Sequence, residues 1–149
     1  MNIGQACNRL VACIGPEDTV HEAAERMREH HVGNLVVTRI DGDDQHPIGI
    51  VTDRDIVVEV VAAGINPASL TVADIMGNSL LVAYEDEDVS EALETMQQRH
   101  IRRLPVVNTD AVLVGILALD DVLQMLATDL GAMAAIVGAQ RLQESRTRS

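Results

Sequence analysis

The chain has 149 residues, 47% hydrophobic and 23% charged, enough for one compact domain or two very small ones sharing a core, and far from a disordered composition. Lys+Arg 11 against Asp+Glu 23 gives a formal charge of −12, so nothing attracts a nucleic-acid backbone or an anionic membrane non-specifically. Every basic residue is arginine and Phe and Trp are absent, which excludes a Walker A lysine, a Schiff-base lysine and a pyridoxal-phosphate anchor; with Tyr84 alone there is no platform for stacking bases.

The opening residues, Met1-Asn2-Ile3-Gly4, carry neither a basic nor an apolar leader segment. The longest apolar runs, such as 111–119, fall short of the roughly 20 residues that span a bilayer. Cys7 and Cys13 form no CxxC and no second pair, so reduced thiols are expected. Together these features predict a soluble cytoplasmic protein with no membrane and no nucleic-acid partner.

Residues 10–14 form a short apolar run, followed by a turn. Thr19 with Glu22 then predicts a capped helix start, and Val20, Ala23, Ala24 and Met27 keep one buried stripe as far as His30 while Glu25, Arg28 and Glu29 face water. Two short strands are expected over 35–38 and 48–51, joined by an acidic loop with Asp41, Asp43 and Asp44; this loop lacks the order of a calcium site. A second helix is expected from Asp53, ended by 63–67, and 71–77 reads as a short capped helix leading onward.

From Asp88 the same text returns. Val20, Ala23, Met27, His31, Leu35 and Val37 recur 69 positions on as Val89, Ala92, Met96, His100, Leu104 and Val106. After a shorter loop, Gly49, Ile50, Asp55 and Ile56 recur 66 positions on as Gly115, Ile116, Asp121 and Val122. The run 80–82 opens the copy, Asp88 with Glu91 predicts the cap, 89–99 the helix, 104–107 and 113–117 the strands, and Leu119 the second helix. Each copy is therefore β-α-β-β-α, too small to bury both faces alone, and the two are expected to pack as one α+β (α/β) unit. His30, His31 and His100 fall at corresponding helix ends, where an imidazolium complements the carbonyls; no partners stand at zinc spacing.

Three strings resemble the cystathionine-β-synthase (CBS) domain pair, or Bateman module. They are Gly49-Ile50-Val51-Thr52-Asp53-Arg54-Asp55, His100-Ile101-Arg102-Arg103-Leu104-Pro105-Val106-Val107, and Val72-Ala73-Asp74-Ile75-Met76. The resemblance implies tandem repeats related by a pseudo-two-fold axis, with repeat 1 over 8–64, a linker and short helix over 65–77, repeat 2 over 78–130, and a helical extension and tail over 131–149. It also implies a regulatory sensor without catalytic residues or a bound metal. Its ligand would be adenosine-containing: AMP favoured, with ADP, ATP (with Mg²⁺) or S-adenosylmethionine as the others. The rival is a ligand-free dimerisation module with degenerate clefts.

On that basis Thr52 would meet a phosphate at a helix start, where free amides and the dipole favour an anion, and Asp55 would accept from ribose hydroxyls. The same Thr-x-x-Asp reads equally as an ordinary helix cap. Arg54 would reach a phosphate or lie on an exposed helix face. The second copy keeps Asp121 but has Ala118 where Thr52 has its counterpart, and carries Arg102 and Arg103 where the first has Gly33 and Asn34. These arginines would bind phosphate in bidentate fashion, or would be a surface pair. The expectation is two unequal clefts, one with Thr52 and Asp55, the other with Asp121 and the arginines. Beyond them Val122, Leu126, Leu130, Met133 and Val137 form a helical stripe expected to pack on a second subunit as a homodimer, and 141–149 reads as a frayed polar tail.

Overall fold

In the computed structural model, which describes residues 1–77 and 79–148, the duplication becomes two matching half-structures. The first contains β1 (Cys13–Ile14), α2 (Val20–His30), β2 (Asn34–Asp41), β3 (Asp44–Thr52) and α3 (Asp53–Ile56), which runs on as a π-helical segment, Val57–Val61. The second contains β4 (Ala83–Tyr84), α5 (Val89–Arg99), β5 (Arg103–Val107), β6 (Leu113–Ala118) and α6 (Leu119–Arg148). Two short helices, α1 (Ile3–Ala6) and α4 (Val72–Ile75), precede the halves.

Each half has a three-stranded sheet, β1-β2-β3 and β4-β5-β6, with the first pair parallel and the second antiparallel. Both hairpins break register at the same place, between Val37 and Thr38 and between Val106 and Val107. The first hairpin is longer than its apolar residues predict, because the strands continue through exposed polar positions to the Asp41↔Asp44 turn. The opening strand of the second half sits at Ala83–Tyr84, not over 80–82, since only there does the backbone meet Val106 and Val107.

Helix α2 starts as predicted: Thr19 Oγ1 accepts from the Glu22 amide at 3.1 Å and Glu22 accepts from the Thr19 amide at 3.2 Å. Its counterpart differs. Asp88 accepts from the Ser90 amide at 3.2 Å, from the Ser90 hydroxyl and from the Met1 amine, so no reciprocal pair with Glu91 forms. His31 and His100 close the two helices in the left-handed region, φ 53° and 55°, a conformation that few side chains other than Asn, Asp and His adopt readily.

The short helices are exchanged between the halves. Ile3 and Ala6 of α1 are buried with Ala92, Met96, Leu104, Val106 and Leu117 of the second half, whereas Val72 of α4 is buried with Ala23, Leu35, Val37 and Val51 of the first. Matching hydrogen bonds hold them, Ile3 N to Glu87 O at 2.8 Å and Val72 N to Asp18 O at 2.8 Å. Thus the segment 71–77, expected to lead into the second copy, packs back on the first. Neither half closes its core without a piece carried by the other, which explains why two units of about 60 residues suffice as one domain.

Helix α6 departs most from expectation. Residues 141–148, expected to be a frayed tail, are helical in continuation of α6, and Ser149 lies outside the described residues. It is long and apolar enough, by length and composition, to cross a membrane, although no single run in the sequence is. Val122 does not belong to the free stripe. It is 2% exposed and packs in the second core, while Leu123 and Leu126 face outward.

Candidate functional site

A cleft of about 580 Å³ lies between the two halves, walled by the end of β3 on one side and by the α5–β5 junction with residues 79–81 on the other. Thr52, Asp53 and Arg54 reach it from the first half; His100, Arg102 and Arg103 reach it from the second. Ile50, Leu80, Leu81 and Ile101 supply an apolar wall. The size suits a drug-sized or nucleotide-sized molecule.

A second, smaller cleft of about 270 Å³ is its pseudo-symmetric partner, lined by Ala118 and Ile116 at the end of β6 and by His31, Gly33 and Asn34 at the α2–β2 junction. Arg103 and its counterpart in the first repeat, Asn34, reach both. The sequence reading paired the arginines with Asp121; the structure puts them opposite Thr52. The physical reason is that each cleft takes its strand end from one repeat and its helix–strand junction from the other. Asp121 stands elsewhere, exposed beside Met1, Gln124 and Asp129.

Thr52 and Asp55 act on one another. Thr52 Oγ1 accepts from the Asp55 amide at 3.1 Å and Asp55 Oδ2 accepts from the Thr52 amide at 2.9 Å, a reciprocal capping box. Asp55 does not line the cleft. Nor does α3 offer free amides there: Asp53 N donates to Gly33 O at 2.9 Å and Arg54 N to Asp53 Oδ1 at 2.8 Å. The donors that face the cleft are therefore the guanidinium groups and the Thr52 hydroxyl, whose own hydrogen is not used by the cap.

Arg102 lies at 66% exposure in an ion pair with Asp120, the second residue of α6. Its counterpart in the first half is Gly33, where a Cβ would come within 2.9 Å of Asp53 Oδ2. The residue equivalent to Asp53 in the second half is Leu119, whose amide donates to Arg102 O at 2.8 Å, so a side chain is accommodated there. Asp53 itself was not singled out from sequence. It stands between the two members of the Thr-x-x-Asp pattern, and the signal available was its position at the first turn of a helix that follows a strand.

Among the described residues no group of three or more His, Cys, Asp or Glu side chains is placed to hold a metal ion. Burial pushes the Cys7 and Cys13 thiols up, with Arg9 and Arg26 acting in the opposite direction, so neither is an activated nucleophile.

The model of the CBS domain matches the chain twice, over residues 3–62 and 72–128. An uncharacterized protein of Methanopyrus kandleri is 38% identical over 125 residues, 84% of this chain and 62% of its own length, so the chain spans under two thirds of that relative. Hypoxic response protein 1 of Mycobacterium tuberculosis is 36% identical over 115 residues, 77% of this chain and 78% of that one. The structure of the CBS domain protein PAE2072 from Pyrobaculum aerophilum, complexed with AMP, superposes with a TM-score of 0.73 at 28% identity, covering 86% of this chain and 99% of that one. With the family model matched by both repeats and a relative 36% identical over most of both chains, the chain belongs to the CBS domain family.

Proposed function

We propose that the chain is a regulatory, non-catalytic module that senses an adenosine-containing ligand, AMP in first place, in the larger cleft. The observation that carries this is the charge distribution: in a chain of net charge −12, three of its eleven arginines, Arg54, Arg102 and Arg103, line one cleft. They would hold the phosphate together with the Thr52 hydroxyl. Asp53 is the carboxylate within the cleft for ribose hydroxyls, Asp55 keeps Thr52 in place, and the wall of Ile50, Leu80, Leu81 and Ile101 receives the base. Asp121 has no part in this cleft.

The AMP complex of the Pyrobaculum protein supports the ligand class. Repulsion from the acidic molecule grows with ligand charge, though screened beyond a Debye length of about 8 Å, which favours AMP over ADP or free ATP; ATP with Mg²⁺ and S-adenosylmethionine are the less anionic competitors. In this reading the module works in the cytoplasm as a homodimer, and its ligand state is conveyed to a separate protein through a difference in affinity between two states.

Calorimetric titration of nucleotide-free protein with AMP, ATP with and without Mg²⁺, and S-adenosylmethionine tests it. Saturable binding of about one ligand per chain, weakened tenfold or more by Arg102→Ala, is expected. Failure of every ligand would establish the second reading, a dimerisation module without ligand, which the engagement of Thr52 and Asp55 in a cap and the poor second cleft favour.

A further inference from the structure

The greater part of α6 lies beyond the family match, and its exposed apolar residues run across that boundary. The match ends at residue 128, while the helix continues to Arg148, a length of about 45 Å in all. Leu123, Leu126, Leu130, Met133 and Val137 are each between 49% and 66% exposed. With Val122 turned into the core, these five follow one another at spacings of three, four, three and four, the 3.5-residue period of a coiled-coil seam; Ile136, 67% exposed, flanks that seam, and Leu142, 64% exposed, lies beyond it.

We propose that this seam pairs antiparallel with the same seam of a second copy of the chain. In the antiparallel register that places Leu130 against the partner's Met133 and Leu126 against the partner's Val137, the flanking positions bring Ala127 beside the partner's Ala134 and Asp120 beside the partner's Arg141. Charge sets the direction. The first half of the helix carries Asp120, Asp121 and Asp129, whereas the second half carries Arg141, Arg146 and Arg148 against Glu144 alone. An antiparallel pair sets acidic ends and basic ends together and also opposes the helix dipoles; a parallel pair stacks like upon like.

A bilayer is the poorer occupant. Asp129 falls within the apolar stretch, and the acidic residues at the start of the helix, on a chain of net charge −12, repel anionic headgroups. The proposal deepens the homodimer part of the reading above by naming its surface. Asp120 also gains a second role, since it is shared between Arg102 at the cleft and the partner's Arg141 at the seam.

Sedimentation velocity and light scattering on the full chain test this. A dimer is expected for the native sequence and a monomer with unchanged circular dichroism for Leu130→Asp. Arg141→Asp should weaken the dimer by about four- to twenty-five-fold, the worth of two symmetry-related exposed ion pairs, and Asp120→Arg in the same chain should restore it. A native monomer, a dimer that survives Leu130→Asp, or no restoration by the charge swap overturns the proposal, as does co-sedimentation with phosphatidylcholine–phosphatidylglycerol vesicles that Leu130→Asp abolishes. AMP titration of the Leu130→Asp variant separates the two readings: retained binding in a variant that stays dimeric removes the seam and leaves the sensor standing.

Discussion

The two clefts are built by one plan from a duplicated sequence and keep a histidine at the same place, His100 in one and His31 in the other, yet they differ at two polar positions. The larger has Thr52 at its strand end and Arg102 at its helix–strand junction; the smaller has Ala118 and Gly33 at those places. Repeat 1 looks richer if Thr52 and Ala118 are compared, and repeat 2 looks richer if Gly33 and Arg102 are compared. Only when the halves are set together do both differences fall on the same side, giving one equipped cleft and one reduced cleft. Asymmetry between repeats is not asymmetry between sites when each site is made of both repeats.

The sharpest way to test the inequality is at the arginine. Arg102→Ala should lower affinity for AMP by about 1.5–3 kcal/mol, the range for a hydrogen bond to a charged group, whereas Asp120→Asn, which frees the guanidinium from its ion pair, should raise it; calorimetry reads both. Equal behaviour of the two variants would remove Arg102 from the site.

A second contrast concerns the exchanged segments at corresponding glycines. A Cβ on Gly115 would stand 2.8 Å from Asn8 O and 2.6 Å from Cys7 Sγ, while on Gly49 the nearest atom is Met76 Sδ at 3.1 Å. Asn8 is tied to Ile116 by two backbone hydrogen bonds of 2.9 Å and cannot give way, but the end of a methionine side chain can. Gly115→Ala should therefore destabilise by about 1–3 kcal/mol in urea unfolding and Gly49→Ala by less than about 1.

Smaller still is the effect of restoring the missing hydroxyl. Ala118→Thr would supply the cap that Thr52 makes with Asp55, using Asp121 as its partner, and should add about 0.5–1 kcal/mol to stability. It should create no AMP site, because Gly33 still faces it in place of an arginine.

The least effect is a pH dependence at the start of α5. The Ser90 hydroxyl and amide hold the Asp88 carboxyl below its ordinary value, and the position equivalent to Asp88 in the first repeat is Thr19, which does not titrate. A carboxyl depressed in the folded state contributes stability above its unfolded pKa and loses it as pH falls through the folded one. Acid should thus loosen the contact between the Met1 amine and the start of α5, and Asp88→Asn should abolish the pH dependence of hydrogen exchange there, measured below about pH 4.

The boundaries of α2 and α5, and the existence of both hairpins, were legible in the sequence because they rest on local causes: caps, a stripe at helical spacing, and apolar runs between turns. The repeat of those signals at displacements of 69 and 66 also established the duplication without reference to space. Thr52, Arg54, Arg102 and Arg103 were legible as candidates for the same reason, as departures from or matches to a local pattern. Asp53 was not, because its place in the cleft depends on where the other repeat stands.

What local chemistry does not encode is which repeat receives a given segment. Hydrophobic spacing states that Ile3, Val72 and Val122 seek burial, but not in whose core, and the tertiary structure sends the first to the second half and the second back to the first. In the same way it alone seated Arg102 opposite Thr52, satisfied the amides of α3 internally, and turned Val122 inward so that the seam from Leu123 to Val137 was left facing out. The sequence determined the parts and their repetition through short-range forces; pairings between residues far apart in the chain were decided by the single packing that closes both cores together.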